Sequence, residues 1–546
     1  MPFFRTFLFS TVLLAVASVC PARDIHVAAT GSDTSGAGTA ASPYREIRKG
    51  LTVLAPGDTL LISAGAYKGF DAVRLGSANT VTTIRATEPG VTITPTTDRG
   101  SNNSHNIVAW LCTNVVFEGL TSNNAPIAGL RLVECNNVTV RGGTFANNGK
   151  WGIVTSHCYD LLLENNDCSG SVLEHGIYVA NSGDRPVVRG NRIHGNANSG
   201  LRLSGDANQG GDGIISGALI ENNIIYDNGS NGGGAMNMDG LQDSIVRNNL
   251  IYNNRATGIA LFKGLSSAGS TGVQVLNNTI IVMSIGRYCL RITDVVGPLT
   301  VRNNILYNLN TAKGPFSWNT PSDANFTNSD YNLFGGGRYV STDGEYSRIT
   351  MDNWMASGHE THSVASATLA QLFVAPSTHD YRLTFGSPAL DRGTSAANVT
   401  KDILGVSRPQ GAGVDIGAYE STPKQANTAP VAAAQTVAVA ENSTDNVITL
   451  IATDTGTGDL TYQIVSPPSA AQGTLGPVTD NQVTFSPTPG FVGSTSFTFQ
   501  ASDSEGAVSN VATVKVNVLG VNAAPSFVIG ANRSHPAAFA TAQSVA

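Results

Sequence analysis

Val138-Thr139-Val140-Arg141, Leu161-Leu162-Leu163-Glu164, Val187-Val188-Arg189, Leu219-Ile220-Glu221 and Ile245-Val246-Arg247 are short apolar runs, each ending on a charged residue. Val115-Val116-Phe117-Glu118 precedes them, and Val273-Gln274-Val275-Leu276 and Leu299-Thr300-Val301-Arg302 follow. The last residues of these runs are spaced by 23, 23, 25, 32, 26, 29 and 26 positions. Two positions further on stand Asn166, Asn191, Asn223, Asn249, Asn278 and Asn304. A second series opens on a small residue and then alternates: Gly129-Leu130-Arg131-Leu132, Gly152-Ile153, Gly176-Ile177-Tyr178-Val179, Gly200-Leu201-Arg202-Leu203, Ala235-Met236-Asn237-Met238 and Gly258-Ile259-Ala260-Leu261. Two or three short strands in each repeat of roughly 24 residues, with no helical stretch between them, are the signature of a parallel β-helix.

In such a coil each turn stacks on the last at about 4.8 Å, so equivalent positions form columns along the solenoid. The asparagines then make a ladder. Asn tolerates a left-handed corner, and its amide can hydrogen-bond to neighbouring coils. Cys112, Cys135 and Cys158 form one column by the same spacing. A disulfide between neighbours and a set of buried free thiols are both compatible with that column. Tetrahedral metal ligation is not, because parallel stacked side chains do not converge.

Composition agrees with a turn-rich globular chain. Of 546 residues 59 are Gly, only 13% are charged and 41% are apolar, which excludes disorder. The formal net charge of -7 removes wholesale binding to nucleic acid or to an anionic membrane. Residues 1–22 carry one basic residue, Arg5, then an apolar run from Phe7 to Val19 and small residues near Cys20-Pro21-Ala22. This is the layout of a secretory signal, cleaved before Arg23. Val19 is a poor predecessor for a lipid-modified Cys20, and no later segment has the 18 apolar residues that a membrane span needs. A secreted or cell-surface monomer is expected.

Several motifs resemble a known family. Asp24-Ile25-His26-Val27 with Gly31-Ser32-Asp33, Pro43-Tyr44-Arg45-Glu46-Ile47, Pro56-Gly57-Asp58-Thr59 and Gly65-Ala66-Tyr67 open the region. Ser387-Pro388-Ala389-Leu390-Asp391 and Asp415-Ile416-Gly417-Ala418-Tyr419-Glu420 close it. Together with the asparagine ladder they resemble secreted bacterial right-handed β-helix proteins of the pectate-lyase-like superfamily. The resemblance implies an all-β, right-handed parallel β-helix over 23–420, with an amphipathic N-terminal helix over Tyr44 to Leu54 capping the solenoid. Residues 421–427 read as a linker. Residues 428–520 read as a β-sandwich, and Pro489-Gly490-Phe491-Val492-Gly493 with Asp503-Ser504-Glu505-Gly506 resembles the cadherin- or immunoglobulin-like modules of bacterial surface proteins. Asn427-Thr428-Ala429-Pro430 recurs as Asn522-Ala523-Ala524-Pro525, so 521–546 reads as the start of a second module.

The second strand series places the candidate site. With Leu130, Ile153, Ile177, Leu201, Met236 and Ile259 facing the core, the next residues form an outward column: Arg131, Val154, Tyr178, Arg202, Asn237 and Ala260. One more outward step reaches Ser204 and Asp239. His175 precedes the Gly176 strand, Lys263 ends the Gly258 strand, and the longest coil carries Asp206 and Asp212 in a Gly-rich loop. Cleaving a polyuronide by β-elimination requires neutralising the uronate carboxylate and removing the C5 proton. Arg202 is the expected carboxylate clamp, with Asn237 donating alongside. Lys263, His175 and Tyr178 are the candidate bases, and Asn181 and Arg255 are further substrate-binding candidates. Lyases of the superfamily often use Ca²⁺, and Asp206, Asp212 and Asp239 are ligands of suitable type. The acidic clusters of the best-known pectate lyases and the Asp-Pro-His motif of alginate epimerases are both missing from the equivalent strands. Three readings follow: a polysaccharide lyase on an acidic glycan, a non-catalytic glycan-binding or adhesion protein, and a glycoside hydrolase using two of the aspartates.

Overall fold

In this computed structural model the described residues are 21–318, 327–337, 339–341, 347–421, 427–455 and 458–521. The secretory-signal reading of 1–22 and the second-module reading of 521–546 therefore lie almost wholly outside them, as does most of the 421–427 linker. The chain divides into two compact units, 1–423 and 424–546. No described helix is long and apolar enough to cross a membrane.

The first unit is a solenoid of three 12-stranded sheets, parallel but for one terminal strand. Sheet one runs from Asp24–Val27 to Thr327–Asp330 and contains the Val/Leu runs that end on a charge. Sheet two starts at Phe70–Val73 and contains the strands that open on a small residue. Sheet three starts at Gly65–Lys68 and follows the asparagines. Each sheet sends at least one straight column into the core. In sheet one, Val140, Leu163, Val188, Ile220, Val246, Val275 and Val301 lie in register. In sheet two the column is Leu130, Ile153, Ile177, Leu201, Met236, Ile259 and Leu290. In sheet three it is Phe145, Cys168, Ile193, Ile225, Ile251, Ile280 and Leu306. All are buried, so each coil adds at least three apolar side chains to one continuous core.

The ladder turns the corner from sheet one to sheet three. Asn191 shows the pattern: its Nδ2 donates to the carbonyl of Leu163 and to Oδ1 of Asn223, and its backbone N–H donates to the same Oδ1. Asn223, Asn249, Asn278 and Asn304 repeat it up to Asn332. The expected left-handed conformation falls one residue earlier, at Asn165, Gly190, Asn222, Asn248, Asn277 and Asn303. Two neighbouring residues thus divide the work, one bending the chain and the other saturating its amides. A second, shorter ladder of Asn196, Asn228 and Asn254 serves the corner between sheets three and two. Cys112, Cys135 and Cys158 are buried free thiols.

The capping helix is shorter than expected. It spans Ile47–Leu51, buries Ile47 in the core, and leaves Tyr44 extended in a bridge to Val27. At the other end the chain folds back: Leu372, Phe373, Tyr381, Leu383, Ala389 and Ile416 cover Leu250, Tyr252, Ile281, Ile305, Tyr307 and Leu333 on the outside of sheet three. A fully buried ion pair, Arg408 to Glu420 at 2.7 Å, anchors that strap, and Arg408 also donates to Oδ1 of the corner residue Asn248. The second unit is a β-sandwich of a four-stranded and a three-stranded sheet around Phe485, Phe497 and Phe499, with a further two-stranded pair.

Candidate functional site

With part of sheet three covered by the strap, the outward charges of the other two sheets differ in kind. On sheet one Glu118, Arg141, Glu164, Arg189, Glu221 and Arg247 stack in register with alternating sign. They pair across coils: Arg141 with Glu118 at 3.1 Å, and Glu221 with Arg189 and Arg247 at 2.6 Å each. Sheet two is the opposite case. Its outward column reads Arg131, Val154, Tyr178, Arg202, Asn237, Ala260 and Arg291. None of its arginines forms an ion pair with any described residue. Three unpaired cations on one face are repelled by one another and attract an anion.

Arg202 occupies the middle of this column. Its guanidinium carbon lies 5.5 Å from the centre of the Tyr178 ring, and its Nε is buried without a hydrogen-bond partner. The Tyr178 ring is held from below, with His175 edge-on at 5.4 Å and Trp151 tilted at 6.1 Å. On the next coil Nδ2 of Asn237 donates to Oγ of Ser199 at 2.8 Å. Two cavities flank Arg202 in register. One, of about 430 Å³, reaches from His105 and Arg131 to Tyr178, Asn181, Asp206 and Gln209. The other, of about 380 Å³, reaches from Asn237 to Lys263, Arg287 and Arg291. From Arg131 to Arg291 there are six rungs, about 29 Å at the usual strand spacing.

The structure brings Tyr178, Arg202, Asn237, Asn181, Asp206 and Lys263 to this face and removes four other expectations. His175 is 2% exposed, and its Nδ1 accepts the Ser199 N–H at 3.2 Å. Burial, with Arg202 nearby, pushes its pKa down to about 3, so the ring is weakly basic, and its accepting nitrogen is already taken by the Ser199 amide. Asp239 does not point outward: at 1% exposure its carboxylate accepts the N–H groups of Gly264, Leu265 and Ser266 and the hydroxyl of Ser204. It holds a turn, with no lone pair left for a cation or for hydrolysis. Asp212 is exposed and accepts the Ile214 N–H, and Asp206 accepts the Asn208 N–H, both as Asx turns. Among the described residues no three His, Cys, Asp or Glu side chains come together as a metal site. Arg255 is exposed on the corner after sheet three and lines neither cavity.

His105, Trp151, Arg287 and Arg291 escaped the sequence reading. Arg291 was legible by extending the column one coil, through Cys289-Leu290-Arg291-Ile292, where Cys289 stands in for the small residue. His105 and Trp151 sit two residues before the core position, at the corner, where inward and outward alternation no longer holds.

Residues 90–212 and 206–331 match the family model of the right handed beta helix region, and 427–520 match that of the bacterial cadherin-like domain. The solenoid is a right-handed parallel β-helix. Among solved structures the β-helix is similar to pectate lyase Pel9A, with 16% identity, a TM-score of 0.50, and coverage of 74% of this chain and 97% of that one. It is also similar to a rhamnogalacturonan lyase, with 16% identity, a TM-score of 0.36, and coverage of 60% and 90%. A glycoside hydrolase is similar at 10% identity and a TM-score of 0.39, covering 59% and 95%. No curated protein matches the chain in sequence.

Proposed function

We propose that this protein is exported and that its β-helix binds a uronate-containing polysaccharide along sheet two and cleaves it by β-elimination. The supporting observation is the unpaired Arg202, beside Tyr178 and between two cavities, on a fold whose sheet-one face balances its charges. A uronate carboxylate against Arg202 accepts a planar pair of N–H donors, and neutralising it makes the C5 proton acidic. As the phenolate, Tyr178 on the adjacent coil takes that proton and then hands it to the departing oxygen. The electron pair forms the C4–C5 double bond, the C4–O bond breaks, and the departing oxygen takes up that proton. Asn237 and Lys263, on the two coils beyond Arg202, hold the next part of the chain. Hydrolysis is less well supported, because Asp239 is consumed by backbone amides and Asp206 and Asp212 serve their own loop.

Alginate, pectate and glycosaminoglycans incubated with the protein test this directly. Growth of ultraviolet absorbance from an unsaturated uronate on one of them is the expected result. Reducing ends without that absorbance point to hydrolysis, and binding without any product points to an adhesion role. Either outcome overturns the lyase reading.

A further inference from the structure

The 430 Å³ cavity contains more than the reaction requires. Arg131, three rungs from Arg202, is exposed and unpaired among the described residues. Across the same cavity stand two buried ring nitrogens with no hydrogen-bond partner, Nδ1 of His105 and Nε1 of Trp151. Leaving such groups unmatched is unfavourable, and His105 is only 5% exposed. Burial, with the charges of Arg131 and Arg99, pushes the His105 pKa down to about 4, so its ring is neutral and keeps one donor and one acceptor. The Trp151 indole tilts towards Tyr178 and gives the cavity an aromatic wall. An anionic group, two polar hydroxyl partners and an apolar sugar face would satisfy all four features at once.

We infer that His105, Arg131 and Trp151 form a remote subsite for a uronate sugar of the same polysaccharide strand, three rungs from Arg202. The inference rests on the proposed binding along sheet two. Arg131 pairs with the sugar carboxylate, Trp151 stacks against the ring and donates from Nε1, and His105 exchanges a hydrogen bond with a hydroxyl. Arg291 lies three rungs on the other side of Arg202, so the strand meets a cation on every third rung, about 14 Å apart. A strand that reaches only Arg202 forgoes these contacts, so affinity grows with chain length.

Oligogalacturonates and oligomannuronates of two and of six to eight sugars, titrated calorimetrically into the full chain, test the subsite. The wild-type protein binds the longer oligomers of one series at least tenfold more tightly than the dimer. Arg131→Gln and Trp151→Ala each remove most of that gain, Arg131→Gln leaving dimer affinity unchanged, while Trp151→Phe keeps part of it. Arg131 is exposed, so Arg131→Gln folds as the wild type does, and an unchanged melting curve checks this. Wild-type-like affinity of both variants for long oligomers, with Arg202→Ala weakened, overturns the subsite alone. Failure of the wild type to bind any uronate overturns both the subsite and the proposed function.

Discussion

Asn223→Ala tests the device that holds the coils together. The Asn223 side chain is fully buried; Nδ2 donates to the Val188 carbonyl and to Oδ1 of Asn249, each at 2.9 Å. Its Oδ1 accepts the backbone N–H and the Nδ2 of Asn191, each at 3.0 Å. Truncation leaves the Asn191 N–H and one Asn191 amide hydrogen without acceptors and the Val188 carbonyl without this donor. Asn249 Oδ1 keeps its bond from the Asn223 backbone. Two orphaned donors at about 1–3 kcal/mol each, plus a lost acceptor contact, give a loss of roughly 3–5 kcal/mol. With about 2.1 cal/mol/K per residue over a cooperative unit of about 400 residues, 4 kcal/mol lowers Tm by about 5 °C. Circular dichroism melts of Asn223→Ala and of the exposed-residue control Arg255→Ala measure it, the control staying within about 0.5 kcal/mol. Asn223→Asp, which keeps the acceptor but buries a charge against Asn249 Oδ1, is destabilised at least as much. A Tm for Asn223→Ala within about 1 °C of wild type would refute the ladder as a structural spine.

Other outcomes follow from the same structure. On the substrate identified by the absorbance assay, Arg202→Ala lowers kcat/KM by roughly 10²-fold or more, about 3 kcal/mol of transition-state stabilisation, and Arg202→Lys recovers only part of it. Equal activity of Arg202→Ala would dissolve the catalytic reading of the outward column. Asp239→Asn costs roughly 1–3 kcal/mol of stability by losing one of its two acceptor oxygens under the 264–266 turn; a metal role instead predicts that a chelator reproduces the loss in the wild type. Burial raises the Asp415 pKa to about 6, with Glu420 and Asp391 adding to the rise against opposing N–H bonds from Ser421 and Asp391. The folded state therefore holds this proton more tightly than the unfolded chain, a stabilisation complete below about pH 4 and lost as pH rises through about 6. Denaturant unfolding of Asp415→Asn and wild type across that window shows the wild-type advantage shrinking with rising pH, and a pH-independent difference contradicts it.

How much of this was legible beforehand depends on the kind of order involved. In a solenoid a residue's neighbour in space is the residue one coil away, so a period in sequence becomes a column in space without any long-range folding decision. The core residues Leu130, Ile153, Ile177, Leu201, Met236 and Ile259, their register and the outward set from Arg131 to Ala260 follow from that rule alone. So does the position of the asparagine ladder, because a repeated buried amide can be satisfied only by its own copies above and below.

Where chain segments from outside the repeat arrive, the rule ends and tertiary structure decides. Asp239 continues the outward count, yet the turn at Gly264–Ser266 folds over it and takes up its carboxylate. His175 carries a catalytic side chain, but the Ser199 amide and the shelter of its corner leave it neutral and buried. Partial cover of sheet three is settled by Asn277 and Asn303 gripping backbone carbonyls of Asp415 and Thr394, 138 and 91 residues away. The sequence by itself determined the coil, its columns and the outward place of Arg202, because these are local and periodic. Only the tertiary structure decided which charges of sheet two stay unpaired, since where the neighbouring coils carry no opposite charge a partner has to arrive from outside the repeat.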